Sequence, residues 1–203
     1  MNILKDLGML LGGSWASGVN LYLTIAGVGI AGRAGWISLP GRLDVLSHPL
    51  VIFVAVLLFL VEFFADKIPY VDSAWDSFHT AIRPVGAAIL TFMALSDMDS
   101  QAAQLSFALL SGTIALDAHL TKATTRVAIN TSPEPFTNIG ASISEDALVI
   151  VALWLIATHP VIAGILVISF VVFSIWFLKT MFRFLKKVFS FIGRKVPPEN
   201  PCC

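Results

Sequence analysis

Residues 62 to 84 read EFFADKIPYVDSAWDSFHTAIRP and hold four carboxylates, a lysine, a histidine and an arginine. Glu62 and Asp66 are four apart, so a helix places them on one face. Asp72, Asp76, His79 and Arg83 follow with helical spacing, and Val71, Trp75, Phe78 and Ile82 repeat it one residue earlier. That pattern predicts an amphipathic helix over 70–83, ended by Pro84. A second group, His119, Lys122 and Arg126, forms a basic stripe at spacing i, i+3, i+7. Carboxylates beside cations can bind a cation, exchange protons or hold an anionic group. Two oxygens and a nitrogen on one face (Asp72, Asp76, His79), completed by Glu62, Asp66, His119, Glu145 or Asp146, are also permissive for a divalent metal, though no cofactor is certain.

Other chemistry lacks its signature: there is no Walker loop, no GxSxG turn, and no Cys or paired-His metal motif. The only cysteines, Cys202 and Cys203, adjoin each other at the chain's end and can staple nothing inside it. Net charge is zero, and no motif suggests a nucleic-acid partner.

The surrounding solvent decides what the charges mean. Of 203 residues 57% are hydrophobic and only 13% charged, about half the charge of an ordinary soluble domain. Mean hydropathy is +0.84, which points to a bilayer. Apolar segments lie near 8–32, 48–65, 84–96, 102–122, 146–158 and 160–179, the third and fifth too short to cross alone. The expected class is all-α, a polytopic membrane protein of about six transmembrane helices. Threaded with the N-terminus in the cytoplasm, the chain leaves only Arg33 and Arg42 outside among its Lys and Arg residues. Both termini are then cytoplasmic, and the polar loops 65–84 and 122–145 face the same side.

Residues 1–178 read as a single transmembrane domain, 179–195 as a basic amphipathic interfacial helix, and 196–203 as a disordered tail. The basic helix, with Lys179, Arg183, Lys186 and Lys187, suits an anionic lipid surface. Weak echoes, LGGSWASGVNLYL (11–23) with LSGTIALDAHLTK (110–122) and SHP (47–49) with THP (158–160), suggest a three-plus-three inverted repeat. Gly8 and Gly12, with later small residues at similar spacing, suggest close helix packing in lipid. NTSPEPFTNIGASISED (130–146) carries prolines, Asn138 and Gly140, and reads as a non-helical, re-entrant-like segment over 130–145 lining protein or a wet cavity. Asn20 and Asp117 fall within or near span interiors, where each either lines a path or makes a packing bond. His48 and His159 read as boundary residues.

Two readings of the charges stay open. They tie helix ends together, or they line a water-accessible path, because ionisable groups inside a membrane cost several kcal/mol on insertion scales. The candidate path residues are Glu62, Asp66, Lys67, Asp72, Asp76, His79, Arg83, His119, Lys122, Arg126, Asn138, Glu145 and Asp146. Three functions fit: a small transporter or channel, homo-oligomeric and coupled to protons or a cation; a membrane-embedded, metal-dependent enzyme acting on a phosphate-bearing lipid; or a structural assembly protein. The transporter is preferred and an enzyme is less favoured.

EF-x-ADKIP and RP within 62–84, ASG at 16–18, the His119/Lys122/Arg126 stripe and NIGASISED at 138–146 together resemble DUF4126, a family of small bacterial membrane proteins. The resemblance covers the chain to about residue 175. It implies an integral protein of a bacterial inner membrane and adds weight to the residues above, with no activity attached. Asn20-Leu21-Tyr22 departs from the family, which more often has a basic residue after ASG.

Overall fold

Asn20 sits within the first apolar stretch and splits it into two helices, α1 (Ile3–Val19) and α2 (Leu21–Arg33). Its backbone is extended, with φ −150° and ψ 100°, and its side chain accepts a hydrogen bond from the Leu23 amide. A short amide side chain competes for backbone groups in this way, favouring a helix start over a helix interior. The segment expected to run unbroken over 8–32 is therefore jointed at its middle.

The computed structural model describes residues 3–130 and 135–194, and among these every regular element is helical. A short 3-10 helix, Gly41–Ser47, precedes α3 (Pro49–Ala65), and the two are bent by 72°. His48 Nδ1 accepts from the Leu50 amide there, and Pro49 occupies the first turn, where its missing N–H costs nothing. Then come α4 (Pro69–Ala94), α5 (Gln101–Asn130), α6 (Pro135–Thr158) and α7 (Pro160–Arg194).

Three boundaries correct the expectations. Pro84 does not end the helix over 70–83; α4 continues through it for ten more residues. Proline is tolerated inside membrane helices because neighbouring groups satisfy the backbone that it frees. Residues 135–145 are helical, not re-entrant: Pro135 opens α6, and proline suits a first turn. Asn130 is the last residue of α5, and residues 131–134 lie outside the described residues. At the C-terminal end, α7 runs without a break past 179, with Lys179, Arg183 and Lys186 on its exposed surface. The side chains of Lys187 and Arg194, with Lys195 and the tail 196–203, lie outside what is described.

Polarity is distributed inside out. Buried positions include Glu62, Asp66, Asp72, Asp76, Arg83, Lys122 and Arg126, whereas Phe78, Ile150, Trp154, Ile168 and Val172 are exposed. Helices α6 (over Phe136–Thr158) and α7 (over Pro160–Phe184) are long and apolar enough to cross a membrane, and the bent pair at α3 would make a third span. Helices α4 and α5 have the length, at about 1.5 Å per residue, but their charges lower their hydropathy.

Helix α1 packs against α4, α5, α6 and α7. Small residues make this feasible: a Cβ at Gly8 would collide with the Pro160 carbonyl, and one at Gly18 with the Ala115 backbone. Helices α4 and α5 make the most extensive pairing, which brings their charged stripes face to face.

Candidate functional site

Glu62 lies in the last turn of α3 and Asp66 just beyond it, as the i, i+4 spacing requires. Arg83 on α4 donates from Nη2 to Glu62 Oε1 at 2.6 Å, and both side chains are fully buried. Its Nη1 donates to the Gly18 carbonyl near the end of α1 at 3.1 Å and to His119 Nδ1 at 2.8 Å. On α5, Lys122 donates to Asp66 Oδ2 at 2.9 Å and lies 3.6 Å from both Glu62 Oε1 and Glu145 Oε2. One turn on, Arg126 forms a two-pronged pair with Glu145 of α6, at 3.1 Å from Nε and 2.7 Å from Nη2. Its Nη1 donates to the Asn138 side-chain oxygen at 2.7 Å and carbonyl at 2.9 Å. Asn138 Nδ2 in turn holds the Asp66 carbonyl at 3.0 Å. Four helices thus meet through one continuous polar network, which also reaches the end of α1.

The histidines have assigned roles. A guanidinium has no acceptor, so His119 Nδ1 is unprotonated where Arg83 donates to it, and Nε2 donates to the Asp76 carbonyl at 3.1 Å. His79 Nδ1 donates to the Trp75 carbonyl at 2.8 Å, which leaves Nε2 of the neutral ring to accept the Tyr22 hydroxyl at 3.1 Å. Trp75 stacks on the His79 ring, with centroids 4.7 Å apart. At the joint between α1 and α2, Asn20 Nδ2 donates to Asp146 Oδ1 at 3.0 Å.

Charge does not balance within this cluster. Among the described residues the buried carboxylates are Glu62, Asp66, Asp72, Asp76 and Asp146, and the buried cations are Arg83, Lys122 and Arg126. Glu145, with 17% of its side chain exposed, adds a further acid. Asp76 is 4% exposed, and neither of its carboxylate oxygens accepts a hydrogen bond; Oδ1 lies 3.6 Å from Arg83 Nη2. A pocket of about 100 Å³ between α4 and α5 is lined by Ser73, Asp76, Ser77 and Thr80 on one side and Ala123, Arg126 and Val127 on the other.

The candidates other than Lys67 are therefore gathered here, with Asp72 fully buried on the same stripe. Lys67 lies at the cluster's edge, within electrostatic reach of Asp66 and Asp146: Nζ donates to the Phe63 carbonyl at 2.8 Å and lies over the Phe63 ring. Where a water-accessible path is expected, the structure has a buried network with a small pocket at its side. Glu62, Asp66, Asp72, Asp76 and His79 do not assemble as a metal centre, and no group of three or more His, Cys, Asp or Glu among the described residues is placed to hold a metal ion. Glu62 and Asp66 turn onto Arg83 and Lys122, and His79 onto Tyr22. Sequence reading passed over Tyr22, Thr80 and the Gly18 carbonyl. Tyr22 was findable as one of two tyrosines in the chain, set in an apolar run; a backbone carbonyl leaves no mark in sequence. Asp117 stands outside the network and accepts from Ser174 Oγ of α7 at 2.6 Å, a packing bond.

The family model described as "Domain of unknown function (DUF4126)" matches residues 7–180, and the chain belongs to that family. Neither a curated protein nor a solved structure is significantly similar to it.

Proposed function

We propose that this is an integral membrane transport protein whose coupling site is the buried network of α3, α4, α5 and α6. The observation that carries the reading is the surplus of buried carboxylates over buried cations. Ion pairs that serve only to hold helices together would be expected to cancel, because uncompensated charge in a low-dielectric interior is expensive. A surplus that persists calls for exchangeable positive charge, either protons or a cation. The joint at Asn20 supports the same reading: discontinuous helices beside a charged site recur in transporters, where freed backbone groups and ions meet. Arg83 reaches the carbonyl of Gly18 two residues before that joint, and Asp146 is held by Asn20 itself. Charge exchange in the network is thereby wired to the place where the backbone can bend.

Six crossings, both termini in the cytoplasm of a bacterial inner membrane, a three-plus-three relation between the halves, homo-oligomeric assembly and anionic-lipid contact at the C-terminal basic helix belong to this reading on sequence grounds. The test is reconstitution of the full chain in liposomes loaded with a pH-sensitive dye, under imposed pH, Na⁺ or K⁺ gradients. Flux above protein-free vesicles, abolished by Glu62→Gln and kept by Asp117→Asn, is expected. Equal leak in protein-free, wild-type and Glu62→Gln vesicles would leave the network a purely architectural device.

A further inference from the structure

We infer that the groove between the end of α2 and the start of α3 binds one anionic phospholipid, its phosphate on the Arg33 guanidinium and an acyl chain laid along α3. The inference goes beyond the transport reading and does not rest on it. The thirteen residues of α2, about 20 Å at 1.5 Å per residue, separate Arg33 from the joint at Asn20.

One stripe from each helix makes the groove. Ile30, Arg33 and Ala34 line it from α2, and Pro49, Ile52, Phe53 and Val56 from α3, each set at spacings of three and four. Its volume is about 500 Å³, within the range of roughly 300–1,000 Å³ that suits single small ligands. Gly29 permits the approach of the two walls: a Cβ there would collide with the Leu46 carbonyl and come within 3.1 Å of Ile52 Cγ1.

The height of Arg33 is fixed by the end of its helix. Gly35, at φ 73°, closes α2, its amide donating to the Gly32 carbonyl at 3.1 Å and that of Trp36 to the Ala31 carbonyl at 2.9 Å. Trp36 is 77% exposed just past that turn, and such amphipathic rings collect at membrane–water interfaces. Arg33 therefore stands at headgroup level. From Pro49 to Val56 the apolar wall runs on for about 10 Å. Leu50, Val54 and Leu57, interleaved with it on α3, are exposed, as a lipid-bathed face requires.

Charge selects the occupant. Arg33 is the one charged residue in the lining, and no acid lines the groove to receive an amine. Among the described residues Arg33 makes no ion pair. Its one hydrogen bond there, from Nη1 to the Ser47 carbonyl, is long at 3.4 Å. A guanidinium carries five donors in a planar fork that matches a phosphate, so the fold leaves most of them for a ligand. A free phosphate ion would leave the apolar walls uncovered. An anionic head on a hydrocarbon tail matches both.

The experiment uses the full chain in phosphatidylcholine nanodiscs doped with phosphatidylglycerol that bears a photoactivatable diazirine on its acyl chain, with labelled peptides mapped by mass spectrometry. Saturable labelling within 49–56 is expected, competed by unlabelled phosphatidylglycerol and not by added phosphatidylcholine. Arg33→Gln should lower it by about tenfold, the worth of one charge-assisted hydrogen bond. Labelling of the exposed face of α7 around Val172 should stay unchanged. Arg33 and Ala34 are both exposed, so neither carries the fold; Ala34→Trp keeps the guanidinium, obstructs the groove and should also lose the label. Labelling of 49–56 that Arg33→Gln leaves intact, or that phosphatidylcholine competes equally well, is generic lipid contact and overturns the site. A disulfide dimer that forms only with Phe53→Cys and shuts out the label gives the groove to a second copy and overturns it too.

Discussion

Glu62 and Arg83 meet at 2.6 Å with neither side chain exposed, joining the end of α3 to the middle of α4. Twenty-one residues separate them in sequence, and the turn at 66–68 between the two helices lets them close on each other. Removing one partner leaves a buried charge without its counter-ion, which typically costs ~3–5 kcal/mol. Arg83→Met should therefore lower unfolding stability by about that amount. The double variant Glu62→Gln/Arg83→Met should recover part of the loss, because both charges are gone. Thermal or denaturant unfolding of purified protein checks this; a double variant no more stable than Arg83→Met would show that the pair does not act as a unit.

At the joint, Asn20 both caps α2 and donates to Asp146. Asn20→Ala should lose a cap worth about 0.5–2 kcal/mol and leave a buried carboxylate oxygen without its donor. Asn20→Asp retains the cap acceptor but sets a second carboxylate against Asp146. It should be the more destabilising of the two at neutral pH, and the ranking of their unfolding midpoints decides.

Helix α1 approaches α7 at Gly8, where an added Cβ meets the Pro160 backbone, whereas a Cβ at Gly13 meets nothing within 4 Å. Overpacking typically costs about 1–3 kcal/mol. Gly8→Ala should fall in that range and Gly13→Ala should be neutral or slightly stabilising. Equal Tm values for the two would contradict the crossing.

Val172 is 67% exposed near the middle of the apolar stretch of α7, while Ser174, two residues on, is buried against Asp117. If lipid surrounds that face, Val172→Lys should weaken membrane insertion by roughly 2.5–3.5 kcal/mol on translocon scales, and Val172→Leu should not. A glycosylation-mapping insertion assay reads the difference.

How much of this was legible in the sequence follows from what each signal depends on. The stripe Asp72, Asp76, His79, Arg83 was readable because helical periodicity is local; its sealing from water was not, because that depends on α1, α3 and α5 closing over it. The pairing of Glu62 and Asp66 with Lys122 and Arg126 was readable as charge complementarity between two loops on one side. Pro84 misled because its tolerance depends on what packs around the freed backbone, which one helix cannot reveal. Residues 135–145 misled because Pro135, taken as a breaker, serves as a helix's first turn. The joint at Asn20 turns on a single bond to the Leu23 amide, and no periodicity announces it.

Helix α4 contains Asp72, Asp76, His79 and Arg83, and α5 brings His119, Lys122 and Arg126 to meet them. During synthesis α4 would leave the ribosome before its complement exists, as a poor candidate for the translocon to release into lipid. If α4 and α5 are crossings, as the proposed reading has them, the two helices partition as a hairpin, with commitment delayed until the second has been made. In a nascent chain truncated after Ala94, Phe78→Cys should stay open to a water-borne thiol reagent, and in one truncated after Asn130 it should be shielded, which would make electrostatics set the order of biogenesis.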